Sequence, residues 1–277
     1  MARSCYYSYN NMITPEAIIS DSDGTLVDTL HLIRHGQYAA FKTYFTAKEV
    51  DPADIPNYET YEELLNQTVG GSARDTLERT VRLAFEDRPH YLEYADFDEL
   101  HDLLNPIQDK IAPEFVEAYE GLPRLLNRLG ELGVKLAIFT SGTPYHIVRN
   151  IGVSLPELGL DDLYKSTDMS DTEKLRLFEK TVKEHFAIPG FTVVTCDDVA
   201  THKPDPASLV MAMERLGVTP EKSLVFGDHA VDMQAGINAG VPVRIGVTHG
   251  FNGDKVLLDA GATGVVHSLD ELTAQLG

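Results

Sequence analysis

The feature that most constrains the fold is an alternation of short apolar runs and helical patterns from residue 118 onward. Continuous apolar runs of this length are typical of strands in a parallel sheet that helices cover on both faces. The sequence therefore predicts an α/β fold built on a doubly wound, Rossmann-like parallel sheet. The runs are Val134–Phe139, Phe191–Thr195, Ser223–Phe226 and Val241–Ile245.

The helical patterns between these runs carry ordinary start and stop signals. Leucines between Leu122 and Leu132 share one face, with Pro123 near the start of the helix and Gly133 just past its end. Two further helices are predicted after Pro206 and from about Val231 to Ala239.

Another apolar run, Ala17–Ser20, precedes the others, and the long stretch between them has a helical pattern. A helix is predicted to begin at Ser72, with Ala73, Leu77, Val81 and Phe85 along one face. We therefore predict an α/β core domain (residues 1–30 and 118–277) and an inserted helical cap domain (residues 31–117). Because the insertion follows the first strand, we expect it to lie over that end of the sheet as a lid.

The connection between residues 155 and 190 is longer than most connections in such folds. It contains a helix predicted to begin at the capping box Ser170-Asp-Thr-Glu173. We interpret this segment as an extra surface helix packed on the core.

Charge and hydropathy exclude several classes of function. The chain has 43 Asp and Glu residues against 23 Lys and Arg residues, a formal net charge of −20, which opposes sequence-independent binding to nucleic acid phosphates. Its apolar runs are too short to span a membrane, and no signal for export is recognisable at its start. We therefore expect a cytoplasmic protein that binds neither nucleic acid nor membranes; its oligomeric state is left open.

Polar residues follow the predicted strands at the point where each strand ends. Asp21 and Asp23 follow the run Ala17–Ser20, and Thr140-Ser-Gly142 follows the run Val134–Phe139. Asp228 and Asp232 follow the run Ser223–Phe226. Lys203 lies a few residues beyond the run at Phe191. Open α/β sheets bind ligands at the carboxyl ends of their strands, so we expect these groups to converge.

Several carboxylates at one edge of a sheet need a counter-charge to remain ionised. Oxygen ligands favour Mg²⁺, which the sequence therefore predicts as a cofactor. A lysine and a hydroxyl beside that cation form a site suited to a phosphoryl group.

The motifs carrying these residues, taken together, strongly resemble those of the haloacid dehalogenase-like hydrolase superfamily. The chain is similar to its phosphoglycolate phosphatase-like branch in the segments Ala239-Gly-Val-Pro-Val and Gly246-Val-Thr-His-Gly250. The four superfamily motifs appear in order as Asp21-Ser-Asp23-Gly-Thr-Leu-Val-Asp28, Ala-Ile-Phe-Thr140-Ser-Gly, Lys203-Pro-Asp-Pro and Gly-Asp228-His-Ala-Val-Asp232.

The resemblance implies a role for each of these residues. Asp21 would be the nucleophile that forms an aspartyl-phosphate, and Asp23 would protonate the leaving alcohol and then activate water. Thr140, Ser141, Gly142 and Lys203 would hold the phosphoryl group. Mg²⁺ would be bound by Asp21, by Asp23 through its carbonyl and by Asp228, with Asp232 orienting the metal shell.

The expected function is thus hydrolysis of a small phosphorylated metabolite. Because Asp23 is present, dehalogenation is disfavoured. Two alternatives remain open: a phosphomutase of the same superfamily, and a non-catalytic regulatory protein that binds a phosphorylated ligand.

Overall fold

A computed structural model describes residues 14–68 and 73–277. The strands are β1 (Ala17–Ser20), β2 (Val27–Asp28), β3 (Glu117–Ala118), β4 (Lys135–Phe139), β5 (Phe191–Val194), β6 (Ser223–Gly227), β7 (Val243–Val247) and β8 (Gly264–Val266). Six parallel strands form one sheet in the order β5-β4-β1-β6-β7-β8, and β2 and β3 form an antiparallel ribbon. The predicted α/β class and parallel sheet are confirmed.

The chain divides into two compact units: one ends at Asp28 and resumes at Glu117, and the other is Thr29–Val116. The helices of the second unit are α1 (Leu30–Ala47), α2 (Tyr58–Thr68), α3 (Ala73–Ala84), α4 (Phe97–Asp102) and α5 (Leu104–Phe115). The helices of the first unit are α6 (Leu122–Leu132), α7 (Pro144–Ser154), α8 (Asp171–His185), α9 (Ala207–Leu216), α10 (Ala230–Asn238), α11 (Asp254–Asp259) and α12 (Leu269–Gln275).

Helices cover both faces of the six-stranded sheet, as the pattern of apolar runs predicts. In β1, Ile18 belongs to one apolar core while Ala17 and Ile19 belong to another, because successive side chains of a strand point to opposite faces. The first core includes apolar side chains of α6, α7, α8 and α12, and the second includes those of α9, α10 and α11. The sheet is therefore doubly wound.

The helix boundaries follow the sequence signals closely. Helix α6 ends at Gly133, whose φ of 70° lies in the left-handed region that glycine adopts without strain. Helix α8 begins after Ser170, which forms the predicted capping box with Glu173. Its buried side chains Leu175, Phe178 and Val182 belong to the first apolar core, so the interpretation of this helix as one packed on the core is confirmed.

The helical unit has an apolar core of its own, built mainly of aromatic and leucine side chains. Its helix α3 buries Leu77, Val81 and the following Phe85, but Ala73 is exposed. The placement of Ala73 on the buried face is therefore wrong, because burial along α3 begins only at Thr76 and Leu77. The predicted helix start at Ser72 and the preceding Gly70-Gly71 lie outside the described residues.

Two features of the core unit have no counterpart in the sequence prediction. Strand β8 adds a sixth strand at the edge beside β7. Strands β2 and β3 pair through Val27 with Ala118 and Asp28 with Glu117, which brings together the two points where the chain leaves and re-enters this unit.

Within the described ranges, we find no helix with both the length and the apolar character needed to cross a membrane.

Candidate active site

The carboxyl ends of three adjacent strands place the predicted site residues at one edge of the sheet. Strand β1 pairs with β4 on one side and with β6 on the other, all in parallel. Asp21 follows β1, Thr140 follows β4 and Asp228 follows β6, each directly after the last residue of its strand. The backbone N–H of Asp21 donates to the carbonyl of Phe226 at 2.9 Å and so extends the ladder by one residue.

Lys203 lies between two buried carboxylates. Its Nζ contacts Asp21 Oδ1 and donates to Asp232 Oδ1 at 2.8 Å. It also lies 3.8 Å from the centre of the Phe139 ring, a favourable position for a cation. Burial would lower the pKa of Lys203, but the negative charges of Asp21 and Asp232 outweigh burial and raise it. This lysine is therefore charged and serves as the local cation of the site.

Asp228 is held by donors from two separate loops. Thr25 Oγ1 donates to its Oδ1 at 2.7 Å, and the backbone N–H of Phe251 donates to its Oδ2 at 2.7 Å. Burial raises the pKa of Asp228 to about 7, and the charge of Asp232 adds to this shift. Without a bound cation this carboxylate would be only partly ionised near neutral pH.

Gly24 explains how the loop after β1 comes so close to Asp228. Its φ is 81°, a conformation that side chains disfavour. A Cβ on Gly24 would lie 2.5 Å from Asp228 Oδ2, so both the backbone conformation and the space require glycine.

Asp21, Asp228 and Asp232 form a group able to hold a metal ion. One carboxylate oxygen from each residue lies within 4.8 Å of those from the other two. Burial raises the pKa of Asp21 well above its usual value; Lys203 opposes this shift, whereas Asp232 and Asp228 add to it. Asp232 is fixed in the first turn of α10, where its Oδ2 accepts from the backbone N–H of His229 at 3.0 Å. One lysine does not balance three ionised carboxylates, and an oxygen-only donor set of this kind suits a hard divalent cation.

Asp23 faces a different side of the site. Its Oδ1 accepts a hydrogen bond from Asn150 Nδ2 at 2.9 Å, and its side chain is not a member of the three-carboxylate group. A Cβ built on Gly142 would lie 3.9 Å from Asp23 Oδ2 and 3.3 Å from Thr140 Oγ1. Asp23 is thus close to the loop predicted to hold a phosphoryl group. A metal contact through its carbonyl stays a prediction.

The loop after β4 is ordered by its own hydrogen bonds. Thr140 is buried, and its Oγ1 accepts from the backbone N–H of Gly142 at 2.9 Å. The carbonyl of Gly142 accepts from the N–H of Cys196 at 3.1 Å, while Ser141 is exposed. The N–H of Gly142 therefore donates within the loop in this structure. The hydroxyl hydrogen of Thr140 takes no part in that bond.

Sequence reasoning missed several residues that build the site. Thr25 lies inside the first motif, yet its link between the Asp21 and Asp228 carboxylates depends on two loops meeting. The sequence assigned no role to His249. In the structure its Nε2 lies 2.9 Å from the carbonyl oxygen of Thr25, and its ring stacks on that of Tyr119 with centres 3.7 Å apart. Asn150 had one available signal: together with Arg149 it interrupts an apolar stretch, between Val148 and Ile151.

The fold and these groups together define an α/β protein whose parallel strands converge on buried carboxylates and one lysine. Residues 15–240 match the family model for haloacid dehalogenase-like hydrolases. The chain belongs to this family and is a hydrolase.

Relatives that align with nearly the whole chain are named as phosphatases or pyrophosphatases. The chain is 27% identical over 278 residues to a phosphoglycolate phosphatase of Salmonella typhi, covering 97% of this chain and 95% of the relative. It is 25% identical over 260 residues to a pyrophosphatase of Halalkalibacterium halodurans, covering 94% and 96%. A crystal structure of a predicted phosphoglycolate phosphatase from Haemophilus somnus aligns with a TM-score of 0.67 at 19% identity, covering 95% and 98%. At that identity the structural likeness shows the fold alone.

Proposed function

We propose that the protein is a Mg²⁺-dependent phosphatase that hydrolyses a small phosphomonoester. The observation that carries this proposal is the Asp21 carboxylate, which contacts Lys203 and is grouped with Asp228 and Asp232 at the edge of the sheet. A nucleophilic carboxylate, a fixed cation and a metal-binding group are the parts that phosphoryl transfer requires. The names of the relatives support the same chemistry.

The donor set fits Mg²⁺. Asp21, Asp228 and Asp232 offer carboxylate oxygens. Burial, with the charge of the neighbouring carboxylates added to it, raises the pKa of Asp21 and Asp228, and a divalent cation would favour their ionised forms. When bound there, Mg²⁺ would neutralise charge on the phosphoryl oxygens. Asp21 and Asp228 would bind it directly, with the Asp23 carbonyl as a further ligand and Asp232 orienting the shell.

The remaining chemistry belongs to the chain's own residues. An oxygen of Asp21 attacks phosphorus and the bond from phosphorus to the ester oxygen breaks, while Asp23 transfers its proton to the departing alcohol. Asp23 then accepts a proton from water, whose oxygen attacks phosphorus and releases Asp21. Lys203 and the Thr140 hydroxyl stabilise the phosphoryl oxygens throughout.

A monoester is the proposed substrate class because its alkoxide is a poorer leaving group than the phosphate released from pyrophosphate. Asp23 is suited to protonate such an alkoxide as it departs. The helical unit Thr29–Val116 is proposed to select the alcohol portion. Within that unit, Arg34 pairs with Glu62 at 3.1 Å and Arg74 with Asp98 at 2.7 Å, so each of these two arginines has a carboxylate partner.

The test is release of inorganic phosphate from a panel of small phosphomonoesters and from pyrophosphate, with Mg²⁺ or EDTA. We expect Mg²⁺-dependent release from at least one monoester, and a loss of about 10³-fold or more in kcat for Asp21→Asn because the nucleophile is removed. Asp259→Asn, which removes only the exposed partner of Lys255, is the matched control and should leave kcat unchanged.

Other outcomes would redirect the assignment. Release from pyrophosphate alone would contradict the monoester class. Transfer to an added sugar phosphate faster than hydrolysis would indicate the phosphomutase. Binding of phosphorylated ligands without turnover would indicate the regulatory protein.

A further inference from the structure

Helix α7 carries two polar side chains on its buried side. Arg149 and Asn150 are only 2% and 3% exposed, although their neighbours Val148 and Ile151 belong to the first apolar core. Burying polar side chains costs free energy unless they form hydrogen bonds. Their partners therefore indicate why such residues are found there.

These two side chains form a directed chain of hydrogen bonds to Asp23. Arg149 Nε donates to Asn150 Oδ1 at 3.0 Å, and Asn150 Nδ2 donates to Asp23 Oδ1 at 2.9 Å. A guanidinium group can only donate, so the amide oxygen of Asn150 must face Arg149 and its NH₂ group must face Asp23. Arg149 thus sets the orientation of the amide.

The bond to Asn150 divides the two oxygens of Asp23 between different surroundings. Asn150 holds Oδ1, whereas Oδ2 is the oxygen close to the Thr140–Gly142 loop. Fixing one oxygen of a carboxyl group restricts its rotation and so fixes the direction of the other. The oxygen directed at the phosphate-binding loop is the one placed to carry a proton to a leaving group.

The segment between α7 and β5 holds α7 in place. Gly152 of α7 packs against the carbonyl oxygen of Leu160, to which an added Cβ would come within 2.8 Å. Tyr145 meets the ring of Tyr164 edge to face at 6.0 Å, and buried Lys174 of α8 donates to the Tyr164 carbonyl at 3.1 Å. The long connection between residues 155 and 190 therefore helps to fix the position of α7, the helix that carries Asn150.

We propose that Asn150, oriented by Arg149, is a positioning residue that aims the Asp23 carboxyl group at the leaving-group oxygen. This inference rests on the proposed phosphatase function. It predicts a selective defect: proton donation matters for an alkoxide leaving group and little for p-nitrophenolate, which departs readily as the anion.

The experiment compares kcat/KM for an alkyl phosphate, 2-phosphoglycolate or the best monoester of the panel, with kcat/KM for p-nitrophenyl phosphate. Because kcat/KM reports only steps through departure of the leaving group, hydrolysis of the aspartyl-phosphate does not enter the comparison. For Asn150→Leu we expect the alkyl value to fall about 10- to 100-fold more than the aryl value.

Ile151→Val is the matched control, since it removes one buried methylene from the next position of α7 without touching Asp23. It should change both kcat/KM values equally or not at all. Asn150→Asp keeps the size of the side chain in case Asn150→Leu does not fold. It replaces the donor to Asp23 by an oxygen, so the same selective loss is expected.

Equal losses on both esters, or no loss, would overturn the role of Asn150 while leaving the phosphatase assignment intact. If the wild-type protein hydrolysed neither ester, both proposals would fall. Crystal structures of wild type and Asn150→Leu supply a readout that needs no turnover: we expect the Asp23 carboxyl group to change its rotamer, and an unchanged rotamer would also overturn the proposal.

Discussion

At the scale of single residues, the site concentrates buried negative charge around one lysine. Lys203 contacts Asp21 and Asp232. The hydroxyl of Thr25 lies within hydrogen-bond distance of Asp21 and Asp228. Desolvation of a carboxylate costs free energy that one lysine offsets only in part. The metal-free protein should therefore be less stable than a variant in which one of these charges is removed.

Asp228→Asn tests this expectation through its pH dependence. Because the pKa of Asp228 is raised to about 7, the folded metal-free protein binds a proton more tightly than the unfolded chain. The stability that this group contributes is present at low pH and lost as pH rises from about 4 through 7. Thermal unfolding in EDTA should show the variant gaining roughly 1–3 kcal/mol relative to wild type between pH 5 and pH 8.

At pH 5 the variant should be slightly the less stable of the two, since an amide oxygen replaces only one of the two acceptors that Thr25 and Phe251 use. Mg²⁺ at millimolar concentration should raise the Tm of wild type and not that of Asp228→Asn. Asp259→Asn is the control. A stability difference that did not vary with pH would contradict the assigned charge effect.

At the scale of elements, the edge strand β5 is protected by side chains of the helices beside it. Glu179 of α8 accepts from the backbone N–H of Val193 at 2.7 Å and from Thr192 Oγ1 at 3.1 Å. Arg215 of α9 donates to the carbonyl of Val193 at 2.7 Å. Both outward backbone groups of Val193 are thereby occupied, which blocks pairing with another chain.

The double variant Glu179→Ala with Arg215→Ala should expose these backbone groups. We expect a loss of about 1–3 kcal/mol in the free energy of unfolding, together with association that increases with protein concentration. Sedimentation velocity at several concentrations measures the second effect. Lys180→Ala, on the exposed face of α8, is the control, and a double variant that stayed as dispersed as this control would show that β5 is protected by other means.

At the scale of the whole molecule, the helical unit is joined to the core unit through a paired ribbon. Asp28 and Glu117 are opposite each other in β2 and β3, a separation that a short turn can span. The helical unit has its own apolar core, and Asp21, Lys203, Asp228 and Asp232 all belong to the other unit. The core unit should therefore fold without the insertion.

Replacing residues 29–116 by a short Gly/Ser linker tests this expectation. The shortened protein should unfold cooperatively and keep the rise of Tm with Mg²⁺, because its metal-binding carboxylates are retained. Adding Asp228→Asn to it should abolish that rise. A broad, non-cooperative transition would show that the core unit requires the helical unit for its stability.

The sequence predicted most of the core because local signals and the global fold agree there. Apolar runs place β1, β4, β5 and β6 to within about one residue of their observed bounds, as uninterrupted burial leaves a pattern that solvent-exposed strands do not. Strand β7 begins and ends two residues later than its run, and β8 was missed because its three residues, Gly264–Val266, are too few to show a pattern.

What the sequence determined by itself was the fold class and the order of groups at strand ends, because strand periodicity, helix capping and motif spacing are local properties. Only the tertiary structure decided which groups meet. Thr25 reaches Asp228 across 203 positions, and Asn150 reaches Asp23 across 127. The raised pKa of Asp228 likewise follows from burial and from Asp232 beside it. Proximity and desolvation arise when distant segments pack together, so neither leaves a local signature in the chain.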